Sequence, residues 1–195
     1  MSHPVILASA SPRRRSLLKQ IGVTCEVMPS GIDEHVREDE SPLDYVERMA
    51  TGKAGAVAGK APGRVVLGAD TDVVLGSRIL GKPADRDDFM EMFSLLSGQS
   101  HQVISAVCLV RGEQRGVRVS VSDVGFREVG EQEMLDYWAT GEPRDKAGGY
   151  GIQGFGAVFI RKISGSYSGI MGLPLFETSE LLREAGVPLL QGKSA

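Results

Sequence analysis

Arg13-Arg14-Arg15 stands where the sequence predicts a helix to begin, and cations are out of place there. Ser11 is a favoured N-cap and Pro12 suits the first helical position. A helix start carries roughly half a positive charge and free N–H groups, so it attracts anions. Guanidinium groups grip phosphate oxygens in pairs. The arrangement predicts an anion site for a polyphosphate; a solvated basic turn is the ordinary alternative. Small residues just before the triplet, Ala8-Ser9-Ala10, let a ligand approach the backbone closely.

A second irregularity is acidic. Asp70-Thr71-Asp72 interrupts the apolar run Val65 to Leu75. Aspartate suits strands poorly, and an unpaired carboxylate is costly to bury. Alternation puts Asp70 and Asp72 on one face and Thr71 on the other. Asp70 could hold Mg²⁺ or Mn²⁺ against phosphates, or activate a water. Asp72 reads equally well as the polar face of an edge strand.

Two lysines and a glutamate could join them. Lys53 falls on the apolar stripe of a predicted helix, where snorkelling is usual and an ammonium turned into a cleft is the functional alternative. Lys82 is held extended by Pro83 and invites the same two readings. Glu34 is a loop carboxylate. The segment Asp145 to Gly156 surrounds Tyr150, Ile152, Gln153 and Phe155 with glycines. A glutamine amide there offers a donor and an acceptor to a nucleobase edge. The spacing Gly149-Tyr150-Gly151-Ile152-Gln153-Gly154 follows no apolar strand, so it is not a dinucleotide fingerprint, and no Walker loop is present. His3, His35 and His101 lack metal-ligand spacing, and no G-x-S-x-G elbow occurs.

The elements that must position these groups follow from pattern. A strand near Val5 to Leu7 leads into the Pro12 helix, which Gly22 stops. Cys25 to Met28 is a short strand. Ser41 caps a helix whose inner face carries Val46, Met49, Ala50, Ala54 and Val57. Phe89, Met92, Phe93 and Leu96 mark a clean amphipathic helix over residues 85–97. Val103 to Val110 and Val117 to Val124 predict a hairpin turning over Arg111 to Gly116, with Val117, Val119 and Val121 alternating against Arg118, Ser120 and Ser122. A helix over Glu131 to Ala139 places Met134, Leu135 and Trp138 on one side. A strand over Ala157 to Ile163 and a helix from Pro174 to before Gly186 complete the chain. Strands and helices interleave without a strict repeat, so a mixed α/β sheet with flanking helices is expected.

Composition narrows the partners. The chain has 195 residues, enough for one well-buried domain, expected to span 1–195. A net charge of −3 argues against a general nucleic-acid or membrane binder and leaves the Arg cluster as a local feature. No apolar run reaches the ~20 residues of a membrane span. The only cysteines, Cys25 and Cys108, lie far apart, as expected for a reducing cytoplasm, and Cys108 reads as core.

Together these segments resemble the Maf family of nucleotide pyrophosphatases. The likeness is carried by Leu7-Ala8-Ser9-Ala10-Ser11-Pro12-Arg13-Arg14, Gly68-Ala69-Asp70-Thr71, Gly81-Lys82-Pro83, Leu96-Ser97-Gly98-Gln99, Asp145-Lys146-Ala147-Gly148 through Gln153-Gly154, and Gly172-Leu173-Pro174-Leu175. The resemblance implies two lobes around a deep groove, related to inosine-triphosphate pyrophosphatases. It implies hydrolysis of nucleoside triphosphates between the α and β phosphates, with a divalent cation, Mg²⁺ or Mn²⁺. It casts Asp70 as the catalytic carboxylate, ties Arg13, Thr71 and Gln153 to substrate choice, and sets Ser9, Arg14, Glu34, Lys53 and Lys82 along the groove. The mechanism expected from these residues has Asp70 and Glu34 hold the metal against the triphosphate. Thr71 with Gln153 is similar to the branch acting on dTTP and UTP; the 7-methyl-GTP branch differs at both places. A non-catalytic nucleotide-binding regulator of cell division is the rival reading, and a homodimer is left open. Asp72 departs from the apolar residue that the family pattern leads one to expect.

Overall fold

A computed structural model describes residues 4–190; His3 lies outside them. One seven-stranded mixed sheet runs through the molecule. Its strands are β1 (Val5–Leu7), β2 (Cys25–Val27), β3 (Val66–Leu75), β4 (Arg78–Leu80), β5 (Ser100–Arg111), β6 (Gln114–Phe126) and β7 (Ile160–Ser164). The order is β2-β1-β3-β5-β6-β7, with β4 folded back on the end of β3. β1 pairs in parallel with β2 and β3, and the remaining pairings are antiparallel.

The helices are α1 (Pro12–Gln20), α2 (Pro42–Ala58), α3 (Arg86–Leu96), α4 (Glu131–Ala139), α5 (Tyr167–Ile170) and α6 (Leu175–Glu184). Helix α2 covers one face of the sheet, where Val46, Met49, Ala50 and Ala54 pack against Val74, Ile104, Ala106 and Cys108. Gly68 makes this contact close: a Cβ there would run into the backbone of Ala50 and Ala54. The opposite face carries two separate cores. Leu17, Leu18, Leu181 and Leu182 of α1 and α6 close over Leu7, Leu67, Val107 and Leu109. An aromatic core of Phe89, Phe93, Phe126, Tyr137 and Phe159 joins α3 and α4 to the far end of the sheet. A groove separates these two lobes.

The sheet itself creates the groove. β1 ends opposite Leu67, and β4 ends opposite Val73. Between those points the outer edge of β3 has no partner strand. Both faces of β3 are therefore reachable from one opening, with Asp70 and Asp72 on the α2 side and Thr71 and Val73 on the other.

The structure departs from the pattern reading in several places. The β5–β6 hairpin is longer than expected and turns over Gly112-Glu113, because Arg111 pairs with Gln114. The alternation along β6 is present but inverted toward its end: Val121 is exposed, whereas Ser120 and Ser122 are buried. Ser122 Oγ accepts the N–H of Ser166, and Ser105 on the neighbouring strand donates to Gly169 O, so α5 and its approach cover that serine face. On α4 the buried residues are Met134 and Tyr137 rather than the Leu135 and Trp138 pair. Residues Phe155–Phe159 form a 3₁₀ turn, and the last strand starts only at Ile160. Asp72 is not on a solvated edge; it is 8% exposed.

Candidate active site

The groove encloses a cavity of about 630 Å³. The residues that the resemblance set along the groove reach it: Ser9, Arg13, Arg14, Glu34, Lys53, Asp70, Thr71, Lys82 and Gln153 line its wall, whereas Arg15 of the triplet and Phe155 do not.

At the α1 end, Ser11 Oγ accepts the N–H of Arg14 at 3.5 Å, and the first turn contains no acidic residue. Arg14 is half-buried at the groove wall. Its Nε donates to Gly172 O at 2.8 Å and one terminal nitrogen to Ser9 Oγ at 3.1 Å. Burial lowers its pKa, the carboxylates of Asp70 and Glu34 acting against that shift. A guanidinium has five N–H donors, so an anchored Arg14 still offers donors to a ligand. Arg13 reaches across the groove to Asp145 at 3.1 Å, and Asp145 also holds Lys146 at 2.6 Å.

On the α2 side, buried Lys53 joins two carboxylates, Asp70 at 2.6 Å and Glu34 at 2.9 Å. The inward lysine of the amphipathic stripe thus points into the groove instead of snorkelling away. It holds Asp70 by Oδ1 and leaves Oδ2 free of that contact. Asp72 lies two residues along the same face. Burial raises its pKa well above the usual carboxylate range, and the neighbouring Asp70 charge adds to the rise. Tyr45, whose hydroxyl donates to Glu34 O at 2.8 Å, closes this wall.

On the opposite side the Thr71 and Ser105 hydroxyls meet at 2.8 Å, and Ser105 donates to Gly169 O at 2.7 Å. Ser105 has a single hydroxyl proton, so Thr71 is the donor to it. Lys82 and Gln153 are exposed at the cavity wall. Gly148 N donates to Gly81 O at 2.9 Å, which ties the Lys82 turn to the glycine-rich segment. That segment is anchored by Glu142, whose carboxylate accepts Tyr137 O–H and the N–H groups of Phe155 and Gly156 at 2.8–3.0 Å.

Among the described residues no cluster of three or more His, Cys, Asp or Glu side chains is placed to hold a metal ion. Magnesium characteristically uses one or two carboxylates together with substrate phosphates, so Asp70 beside Asp72 fits such an ion. Glu34 reaches the groove, but its carboxylate is turned to Lys53. Two contacts escaped the sequence reading, Asp145 as the partner of Arg13 and Glu142 as the anchor of the glycine-rich segment; Tyr150, named there among the glycines, lines the groove and meets His101 Nε2 at 2.7 Å. For Asp145 and Glu142 no local pattern carries the signal, because their partners lie across the groove or across a loop. Tyr150, an aromatic set among glycines, was the visible clue.

Mixed sheet, paired lobes and basic groove together describe a known class. The chain belongs to the Maf family: a family model described as Maf-like protein matches residues 4–185. The protein named dTTP/UTP pyrophosphatase in Saccharophagus degradans is 50% identical over 194 residues, 97% of this chain and 92% of that one. A protein of the same name in Alcanivorax borkumensis is 53% identical over 188 residues, 95% of this chain and 97% of its own. The solved Ham1 protein of Staphylococcus aureus aligns over 81% of this chain and 80% of its own, at 15% identity and a TM-score of 0.45, a likeness that decides nothing about the site.

Proposed function

We propose that this chain is a nucleoside triphosphate pyrophosphatase that converts dTTP and UTP to the monophosphate and pyrophosphate, serving to cleanse the nucleotide pool. The observation that carries this reading is the convergence of Arg13, Arg14, Lys53 and Lys82 with Asp70 on one cavity. The name shared by the relatives at about 50% identity supports the choice of substrate.

Arg14, fixed by Gly172 and Ser9, and the cations of Arg13 and Lys82 hold the phosphate chain; Arg13 exchanges Asp145 for phosphate as the nucleotide enters. Negative charge grows on the departing pyrophosphate, and cations already in place stabilise it without reorganising. Asp70 takes a proton from the water that attacks the α-phosphorus, using the oxygen that Lys53 leaves free. Asp70 would hold Mg²⁺ or Mn²⁺, which would supply charge neutralisation to the phosphates. The Gln153 amide pairs with the O4 and N3–H edge of thymine or uracil, and Thr71 lines the same groove. No helix among the described residues is long and apolar enough to cross a membrane, and Cys25 and Cys108 are free thiols, which suits a cytoplasmic enzyme.

The test is pyrophosphate release from a panel of nucleoside triphosphates, 7-methyl-GTP included, with Mg²⁺ and Mn²⁺. Preferred turnover of dTTP and UTP is expected. Orthophosphate in place of pyrophosphate, or silence across the panel, contradicts the reading.

A further inference from the structure

Asp72 is a carboxylate in a place that is expensive to fill with one. It is 8% exposed, its side chain meets the like-charged Asp70, and among the described residues no N–H group donates a hydrogen bond to it and no cation pairs with it. An unpartnered buried carboxylate costs several kcal/mol (order of magnitude), a cost escaped only by losing the charge or gaining a counter-charge. It faces the cavity on the same side of β3 as Asp70. The neighbouring cations are committed elsewhere: Lys53 to Asp70 and Glu34, Arg14 to Gly172 and Ser9.

The sign of the charge sharpens the question. A groove that admits a triphosphate is worse off for an added anion, and an apolar residue here would suit both the strand and the ligand. The added carboxylate makes sense if it comes with a divalent cation, which attracts it and the phosphates at once. Glu34 is a poorer candidate for the same role, being half exposed and already held by Lys53 at 2.9 Å.

We propose that Asp72 is a ligand, together with Asp70, of the divalent cation that accompanies the nucleotide. The inference rests on the nucleotide-hydrolase reading of the groove. It assigns Lys53 to steering Asp70 and Glu34, and it gives this chain a second carboxylate on the cation where an apolar side chain was expected.

The experiment measures Mn²⁺ binding directly, from the electron paramagnetic resonance signal of free Mn²⁺. The full chain is titrated alone and with a UTP analogue whose α,β-bridging oxygen is replaced by methylene. Wild type is compared with Asp72→Asn, which keeps the shape, and Asp72→Val, which restores a strand-forming residue; the thermal midpoint of each establishes folding. A tenfold or greater weakening of Mn²⁺ in both variants, with and without the analogue, is the expected result. Affinities within twofold of wild type, or no Mn²⁺ bound by wild type in either condition, would overturn it and leave Asp72 a buried carboxylic acid. The two readings fail separately. A silent nucleotide panel removes the enzymatic reading, whereas a Mn²⁺ affinity that depends on Asp72 stands without any turnover.

Discussion

Lys53 decides what Asp70 can do. The ammonium holds one carboxylate oxygen at 2.6 Å and, being only 6% exposed itself, excludes water from that side. The second oxygen is then the one that meets a substrate-bound water. Asp70→Asn keeps the shape and the Lys53 contact but removes the proton acceptor. Turnover of dTTP should fall by about 10³-fold, within the usual range for a lost general base, while binding of a non-hydrolysable analogue persists. Turnover near the wild-type rate would take Asp70 out of the mechanism. At this scale the sequence was informative where a residue broke a local rule: cations at a helix start, an acid within a strand, a lysine on an apolar stripe. It was silent on pairing. Nothing around Asp145 says that Arg13 lies across the groove, 132 positions away in sequence, and the burial of Asp72 depends on α2 lying over it.

At the scale of elements, the gap between β1 and β4 along β3 is what exposes Asp70 and Thr71 to the same ligand. Strand lengths create it, and the apolar pattern reports a strand's presence more reliably than its end. That is why Val65 to Leu75 was legible as a strand while its open edge was not. The glycine-rich segment was legible as special for its composition, and the reason is now visible. Gly149 has φ +67°, and a Cβ added there would lie 2.8 Å from the Phe89 ring, in the middle of the aromatic core. Gly149→Ala should therefore destabilise the protein by about 1–3 kcal/mol, read as a lower urea midpoint, and should raise KM through the displaced Gln153. An unchanged midpoint would mean that the segment is not pinned to α3. The expected Ala157 strand failed for a related reason: Glu142 takes up the N–H groups of Phe155 and Gly156, which curls that stretch into a 3₁₀ turn.

At the scale of the whole molecule, two cores on one face of a single sheet leave a cleft between them, and contacts across the cleft set how the lobes sit. His101 lies within the aromatic core of one lobe: it is the second residue of β5, is 3% exposed, packs edge-on to Phe126 and meets the Tyr150 hydroxyl at 2.7 Å. Burial depresses its pKa from 6.5 to about 4. The unfolded chain therefore binds this proton first as pH falls. The stabilisation is full above pH 6.5, declines between pH 6.5 and about 4, and levels off below; the loss amounts to roughly 3 kcal/mol. His101→Gln should flatten the thermal midpoint over that window relative to wild type, and an unchanged slope would place the acid sensitivity elsewhere. The net charge of −3 gave no hint of the groove's charge, because Arg13, Arg14, Lys53, Lys82 and Lys146 gather there beside the carboxylates of Glu34, Asp70, Asp72 and Asp145.

Which phosphorus the water attacks bears most directly on the chemistry assigned to the groove. Hydrolysis of dTTP in ¹⁸O-enriched water, followed by mass spectrometry of both products, reads this out. The account predicts one heavy oxygen in dTMP and none in pyrophosphate. Label in the pyrophosphate, or labelled orthophosphate as the product, would contradict it.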